Sequence, residues 1–365
     1  MSVTERLPDT ADTRATGGMV DCDVHTALRS PDAILDYLPT RWHTHHRTFG
    51  GNGYYGSKYP KSVPNAARVD AWPGSGGAPG SDLQMMREQL LDRWDIDVAI
   101  LNPGVHSGGS RNLDYAAAVA SAINDITAAE WLDHDERLRG SLVVSFEDPP
   151  AAVAEIERLA DDDRFVQVYL QVRTTQPLGH RKYWPIYAAA EAHGLPVGVH
   201  FGGNSGTPIT GAGWPSYYLE DHVGNAQSFQ AQLTSLVLEG VFERFPGLRY
   251  VSIEGGTAWV PPLAWRMDAA WQRLGDEVPH VTRPPSETIA ERVWFTTQPI
   301  EEPPTPGDFL DLLDTFPSLV DRLMFSTDYP HWDFDDPDHA MKHVRLPDGA
   351  EEKIRSVNAR ALYRL

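Results

Sequence analysis

Gly18-Met19-Val20-Asp21-Cys22-Asp23-Val24-His25 is the stretch from which the organisation of the chain can be read. Its apolar and β-branched residues predict a buried strand. Side chains alternate along a strand, so Asp21, Asp23 and His25 are expected on one face and Val20, Cys22 and Val24 on the other. A carboxylate two residues from an imidazole at a strand end is a metal-ligand arrangement, because both donors converge and both suit a borderline divalent cation. The competing reading is an ordinary acidic loop after a strand, and the pair alone does not decide between them.

The chain downstream supplies the fold. From Asp82 onward, apolar runs that read as strands (97–101, 141–146, 165–170, 195–201, 248–253, 292–296 and 322–326) alternate with stretches of helical period. The helical stretches are 83–94, 113–134, 151–160, 183–193, 222–245, 257–271, 308–316 and 350–363. In 222–245, Phe229, Leu233, Leu236, Val237 and Val241 recur at helical spacing. With the first strand this makes eight strands, each followed by a helix, which predicts an α/β (β/α)8 TIM barrel, with a doubly wound sheet as the alternative. Residues 18–365 are expected to form a single barrel domain preceded by a flexible tail, 1–17.

Between the first strand and that regular part lies a long insertion, 30–80. It holds Trp42, the histidines His43, His45 and His46, the stretch Gly50-Gly51-Asn52-Gly53-Tyr54-Tyr55 and the tract Gly74-Ser75-Gly76-Gly77-Ala78-Pro79-Gly80. So long a connection is a functional lid or disorder, and its aromatics favour the lid. The glycine tract lacks the Lys-Ser/Thr of a phosphate loop and has no strand before it, so it reads as a hinge or turn.

The net charge of −20, from 51 acidic and 31 basic residues, argues against nucleic-acid and anionic-membrane partners. Cys22 is the single cysteine, expected on the outward apolar face of its strand as a packed thiol. The first sixteen residues lack the apolar core of a signal peptide, and no run approaches the roughly 18 apolar residues of a membrane span, so a cytoplasmic location is expected.

In a barrel the functional residues sit where strands end. His200 closes the fifth strand on the face of Gly198. Ser252 and Glu254 are expected to point inward from the sixth, with Val251 and Ile253 against the helices. Thr296 and Gln298 share a face on the seventh, and Ser326 and Asp328 point inward from the eighth, followed by Tyr329-Pro330-His331-Trp332. Singly, each has a plain reading as a core histidine, capping carboxylate or turn aspartate. Together, Asp23, His25, His200, Glu254 and Asp328 at one rim would be costly to bury without a cation.

These residues resemble the metal-dependent amidohydrolase superfamily: Asp23-x-His25 after the first strand, His200 after the fifth, and Asp328 within Ser326-Thr327-Asp328-Tyr329-Pro330 after the eighth. The amidohydrolase-related group that includes the aminocarboxymuconate-semialdehyde decarboxylase-like enzymes is nearest, with Phe245-Pro246-Gly247-Leu248-Arg249 and the ending Asn358-Ala359-Arg360-Ala361-Leu362-Tyr363 as further hallmarks. Three departures bear on mechanism. Asp23 replaces the first His of the His-x-His motif, Glu254 stands where a His usually does, and the fourth strand has no Lys for a bridging carbamate. The resemblance implies one divalent ion, Zn2+ or Mn2+, held by Asp23, His25, His200 and Asp328.

Two reactions fit these residue types. In a hydrolase acting on a small cyclic or carboxylated substrate, Asp328 would take a proton from metal-bound water, whose pKa falls to about 7, with Glu254 as second base or further ligand. In a non-oxidative decarboxylase of an aromatic or unsaturated acid, an acid near Glu254 or His331 would deliver a proton to carbon. A non-catalytic metal-binding relative is a lesser alternative. Arg173, Trp214, His222, Gln298 and Trp42 are the candidates for contacting the small-molecule substrate, and a homodimer is allowed. The sequence has no G-x-S-x-G elbow and no H-E-x-x-H, which disfavours a serine hydrolase and a zinc protease.

Overall fold

The structure, a computed structural model, describes residues 18–50, 66–104, 110–203, 208 and 210–365. Eight strands pair in parallel in sequence order: β1 (Met19–Thr26), β2 (Ile96–Pro103), β3 (Leu138–Val143), β4 (Phe165–Arg173), β5 (Val197–Gly203), β6 (Tyr250–Ile253), β7 (Val293–Thr296) and β8 (Leu323–Met324). The residues after β8 return to β1. The Cys22 and His25 N–H groups donate to the carbonyls of Phe325 at 2.9 Å and Tyr329 at 2.7 Å. Parallel neighbours require a crossover, here supplied by helices, and the result is the expected TIM barrel.

Two apolar populations hold it together. Ala99 and Leu101 of β2 and Val197 and Val199 of β5 belong to the layer that includes Phe229, Leu233 and Leu236 of helix Asn225–Leu238. The second fills the barrel interior with Val98, Ile100, Val251, Ile253 and Met324, closed by Ala359, Leu362 and Tyr363 of helix Asn358–Tyr363. That helix sits under the strand starts, since Arg360 donates to the Gly18 carbonyl and Arg249 to that of Leu362. Tyr363 Oη donates to Gln167 Oε1 at 2.9 Å inside the barrel. A closed bottom leaves the C-terminal mouth as the place for chemistry. Gly198 marks how crowded the interior is, because a Cβ there would lie 2.5 Å from Gln167 Oε1.

Simple alternation fails in two strands. In β1 the register steps from Asp21 opposite Ala99 to Val24 opposite Leu101, so that an extra residue is accommodated as a bulge. Val20 and Cys22 both lie in the interior cluster rather than facing the helices, and beyond the bulge the faces exchange, so that Val24 belongs to the outer layer. In β6, Val251 and Ile253 point into the barrel, not against the helices. Ser252 lies toward Phe229, since a Cβ on Gly255 would meet both side chains. The helix expected over 222–245 is three, Tyr218–Val223, Asn225–Leu238 and Val241–Arg244, interrupted at Gly224 and at Gly240, whose φ of 76° favours glycine.

The tail 1–17 and residues 51–65 of the insertion lie outside the described residues. Before them, Ile34, Leu35 and Leu38 pack with Tyr115, Val119 and Ile123 of helix Leu113–Ile126. After them, Ala67 bridges His331 in antiparallel fashion, and the Arg68 N–H donates to the Pro330 carbonyl at 3.0 Å. The glycine tract ends in a turn. The Ala27 N–H donates to the Gly80 carbonyl at 2.8 Å, and Gly80, at φ 78°, comes so near that a Cβ would lie 2.7 Å from the His25 oxygen. No helix among the described residues is long and apolar enough to cross a membrane.

Candidate metal centre

The two histidines define the site through the nitrogen that faces away from it. His25 Nδ1 lies 2.8 Å from the Asn102 carbonyl and His200 Nδ1 2.6 Å from the Phe201 carbonyl. A carbonyl only accepts, so each Nδ1 carries a proton, and Nε2 is the ring atom turned to the site, able to take either a second proton or a metal ion. Both Nε2 atoms are buried without a hydrogen-bond partner, as are Asp23 Oδ2 and Asp328 Oδ2. These atoms face carboxylates: His25 Nε2 is 2.9 Å from Asp328 Oδ1 and 3.3 Å from Asp23 Oδ1, and His200 Nε2 is 3.2 Å from Glu254 Oε2 and 3.4 Å from Asp23 Oδ2. Neutral imidazoles set against carboxylates repel, so these atoms call for positive charge between them, as protons on Nε2 or as a shared metal ion. One atom each from Asp23, His25, His200 and Glu254 lies within 4.8 Å of the others, and His25, Asp328 and His331 form an adjoining group. The donor set, oxygen and imidazole nitrogen, suits Mn2+ or Zn2+.

The electrostatics show the same demand for positive charge. Burial alone lowers the pKa of His25, yet Asp23 and Asp328 outweigh it and raise the value to about 9. His200 is raised against burial by Asp23 and Glu254. Burial, then the charge of Asp328, pushes Glu254 well above the usual carboxylate range, whereas His331 and His25 hold Asp328 below it in spite of its burial.

Main-chain geometry aims these groups. Glu254 and Asp328 both have φ of 60°, a left-handed conformation rare for residues with a Cβ and characteristic of functional sites. That turn brings Glu254 to the mouth although the residue before it, Ile253, faces the barrel interior. The Glu254 N–H is fixed on Thr296 Oγ1 at 3.0 Å and the Asp328 N–H on the Asp23 carbonyl at 3.0 Å. Asp21, expected on the ligand face, accepts instead from Thr327, Oγ1 at 2.6 Å and N–H at 3.0 Å, and joins β1 to the end of β8.

The remaining sequence candidates fall in several places. His331 Nδ1 is 2.6 Å from Asp328 Oδ1, and its ring is partly open to solvent. Gln298 is buried and donates to Asp333, and His222 Nε2 lies 3.3 Å from the Asp333 carboxylate. Arg173 reaches Asp221 at 3.3 Å and covers Phe201. Trp214 is exposed. Trp42 packs on His45 and Tyr115. His46 is bound by Tyr115 Oη at 2.6 Å and the Pro31 carbonyl at 3.0 Å.

Two residues were missed. Asn102, just beyond the strand expected over 97–101, closes β2 and donates from Nδ2 to Asp23 Oδ1 at 2.8 Å. The strand-end rule that singled out His200 also applies to it. Asp333 follows the eighth strand by several loop residues, and no sequence spacing marks it.

The amidohydrolase family model, Amidohydro_2, matches residues 20–365. The chain belongs to the amidohydrolase family. A gamma-resorcylate decarboxylase of Rhodococcus jostii is 28% identical over 315 residues, covering 78% of this chain and 88% of the relative. Among solved structures, a dihydroxybenzoic acid decarboxylase from Polaromonas sp. JS666, with bound manganese and 2-nitroresorcinol, matches with a TM-score of 0.66 at 20% identity, covering 96% of this chain and 98% of that one. A 5-carboxyvanillate decarboxylase from Novosphingobium aromaticivorans, also with manganese, gives 0.70 at 19% identity with the same coverage. These family relatives are decarboxylases, so the carboxy-lyase alternative is better supported than hydrolysis, and both of these solved neighbours hold manganese.

Proposed function

We propose that this amidohydrolase-family chain is a metal-dependent non-oxidative decarboxylase of hydroxylated aromatic carboxylic acids. The observation that carries the reading is the pair of unpartnered His25 and His200 Nε2 atoms facing Asp23, Glu254 and Asp328, together with decarboxylase relatives that cover most of the chain. Asp23, His25, His200 and Asp328 would hold one divalent ion, with Glu254 as a further oxygen donor. Such an ion supplies Lewis acidity toward the substrate's oxygens and offsets the buried negative charge.

The reaction replaces carbon dioxide on a ring carbon by a proton, so the protein must hold a proton near that carbon. His331 would carry it: its Nδ1 lies 2.6 Å from Asp328 Oδ1 and its ring is partly open to solvent, which supports this role. Asp328 thereby serves both as ligand and as partner of the proton carrier. The segment after residue 65, paired with His331 through Ala67, supports the lid role of the insertion 30–80: it borders the mouth and steadies the loop that carries the proton. Gln298 and His222, which share Asp333 as a partner, would contact the substrate, and Arg173, Trp214 and Trp42 would serve binding or closure.

The test is to incubate the manganese-loaded protein with 2,6-dihydroxybenzoate, related aromatic acids and a panel of lactones and cyclic amides. Carbon dioxide matched one for one by the phenol is expected. Ring opening of a lactone or amide without carbon dioxide would restore the hydrolase reading.

A further inference from the structure

Beside the ligand cluster lies a second polar group. Gln298 is 1% exposed, and its Oε1 is buried with no hydrogen-bond partner in the protein. Its Nε2 donates to two oxygens of Asp333, the carbonyl at 3.2 Å and Oδ2 at 3.1 Å, which sets the amide orientation and leaves the oxygen as its free end. Asp333 Oδ2 also lies 3.3 Å from His222 Nε2. Aromatic rings flank this group: His222 is 5.4 Å from Trp332 and 5.7 Å from Tyr218, and Trp332 Nε1 donates to Tyr218 Oη at 3.0 Å. The Gln298 N–H is bonded to Ser326 Oγ at 2.9 Å, two residues before Asp328, so the group adjoins the ligand cluster without sharing an atom with it.

We propose that Gln298 and Asp333 form a hydrogen-bond-accepting subsite that reads a hydroxyl or amino substituent on the ring of the substrate. This rests on the aromatic-carboxylate reading above. Both side chains present acceptors, a buried amide oxygen and a carboxylate, so the matching ligand group is a donor; a methyl ether in its place leaves Gln298 Oε1 unpaired and adds bulk. The rings of Tyr218, His222 and Trp332 supply the apolar wall that a flat ring needs. Among the described residues the Asp333 and Gln298 side chains bond to each other and lie by His222 rather than on His331 or the ligands, and they set which ring enters.

The test uses the full-length, manganese-loaded protein and ligands that cannot lose carbon dioxide: phenols, each paired with its methyl ether. Binding is followed by titration calorimetry in the wild type, Asp333→Asn and Gln298→Met, with metal content measured in each. The wild type is expected to bind a phenol about 10–100-fold more tightly than its ether, the range for a hydrogen bond to a buried or charged acceptor. Each variant should bring that ratio to within about threefold of unity, by weaker phenol binding, by relief of the penalty on the ether, or by both, with metal content unchanged. An unchanged ratio, as a buried water satisfying Gln298 Oε1 would give, or an equal loss for both ligands, overturns the subsite. Carbon dioxide release assayed alongside separates the two readings. Discrimination without decarboxylation of any aromatic acid removes the proposed reaction and keeps the subsite; decarboxylation without discrimination does the reverse.

Discussion

Asn102→Ala tests whether the ligands are aimed by the network beneath them. Asn102 Nδ2 donates to Asp23 Oδ1 at 2.8 Å, and Oδ1 accepts from Ser141 Oγ at 2.6 Å and Gln167 Nε2 at 3.2 Å. The contact with His25 runs through the Asn102 main-chain carbonyl and survives the substitution. What is lost is one charge-assisted hydrogen bond to a ligand, of about 1.5–3 kcal/mol. At about 1.4 kcal/mol per decade, that weakens ion affinity by roughly 10–150-fold, which agrees with the roughly 10–100-fold typical of groups supporting a metal ligand. Ser141 and Gln167 also lose an acceptor, so the apoprotein should fall in stability by about 1–3 kcal/mol. Competition against a calibrated chelator gives the Mn2+ affinity, and thermal melts of apo and loaded protein give the stability. If Mn2+ affinity stays within about threefold of wild type while the apoprotein Tm falls, the network is structural only and the reasoning is refuted.

Asp328→Asn should reduce carbon dioxide release far more than Glu254→Gln, by at least the roughly 10²–10⁴-fold of a general acid–base contribution, because Asp328 contacts both His25 and His331; steady-state rates at matched metal content check the order. Dialysis against Mn2+ and removal of the excess should leave about one ion per chain, and chelation should lower Tm because the ion binds only the folded cluster; two retained equivalents would contradict the cluster. Gly198→Ala should destabilise the barrel by about 1–3 kcal/mol through overpacking against Gln167 and Ile253, measured by urea unfolding, and no loss of stability would mean that position 198 does not face the interior.

The fold was legible because strand-helix alternation recurs along most of the chain, and an error of a few residues at a boundary leaves a repeat intact. Strand 141–146 was expected and Leu138–Val143 is found, yet the barrel is unchanged. The placement of side chains at regular strand ends was equally legible: His200 keeps the alternation set by Gly198 and reaches the carboxylate cluster. Face assignments failed where the backbone leaves strand geometry. The bulge in β1 turns Cys22 and Asp23 to the same side, and the left-handed backbone at Glu254 brings a carboxylate to the mouth although alternation from Ile253, which faces the interior, sends it outward. Neither feature has a residue signature, since no glycine occupies position 254. Its conformation is imposed from elsewhere. Glu301 accepts from the Thr257 N–H at 3.0 Å and the Ala258 N–H at 2.9 Å, and Gly256, at φ 68°, lets that carboxylate come so near that a Cβ would lie 2.5 Å from Oε1. Together with the Thr296 hydroxyl on the Glu254 N–H, two strand-loop connections hold a conformation that residue 254 would not adopt alone. The position of Glu254 is therefore a property of contacts between residues more than forty positions apart, which local periodicity does not encode.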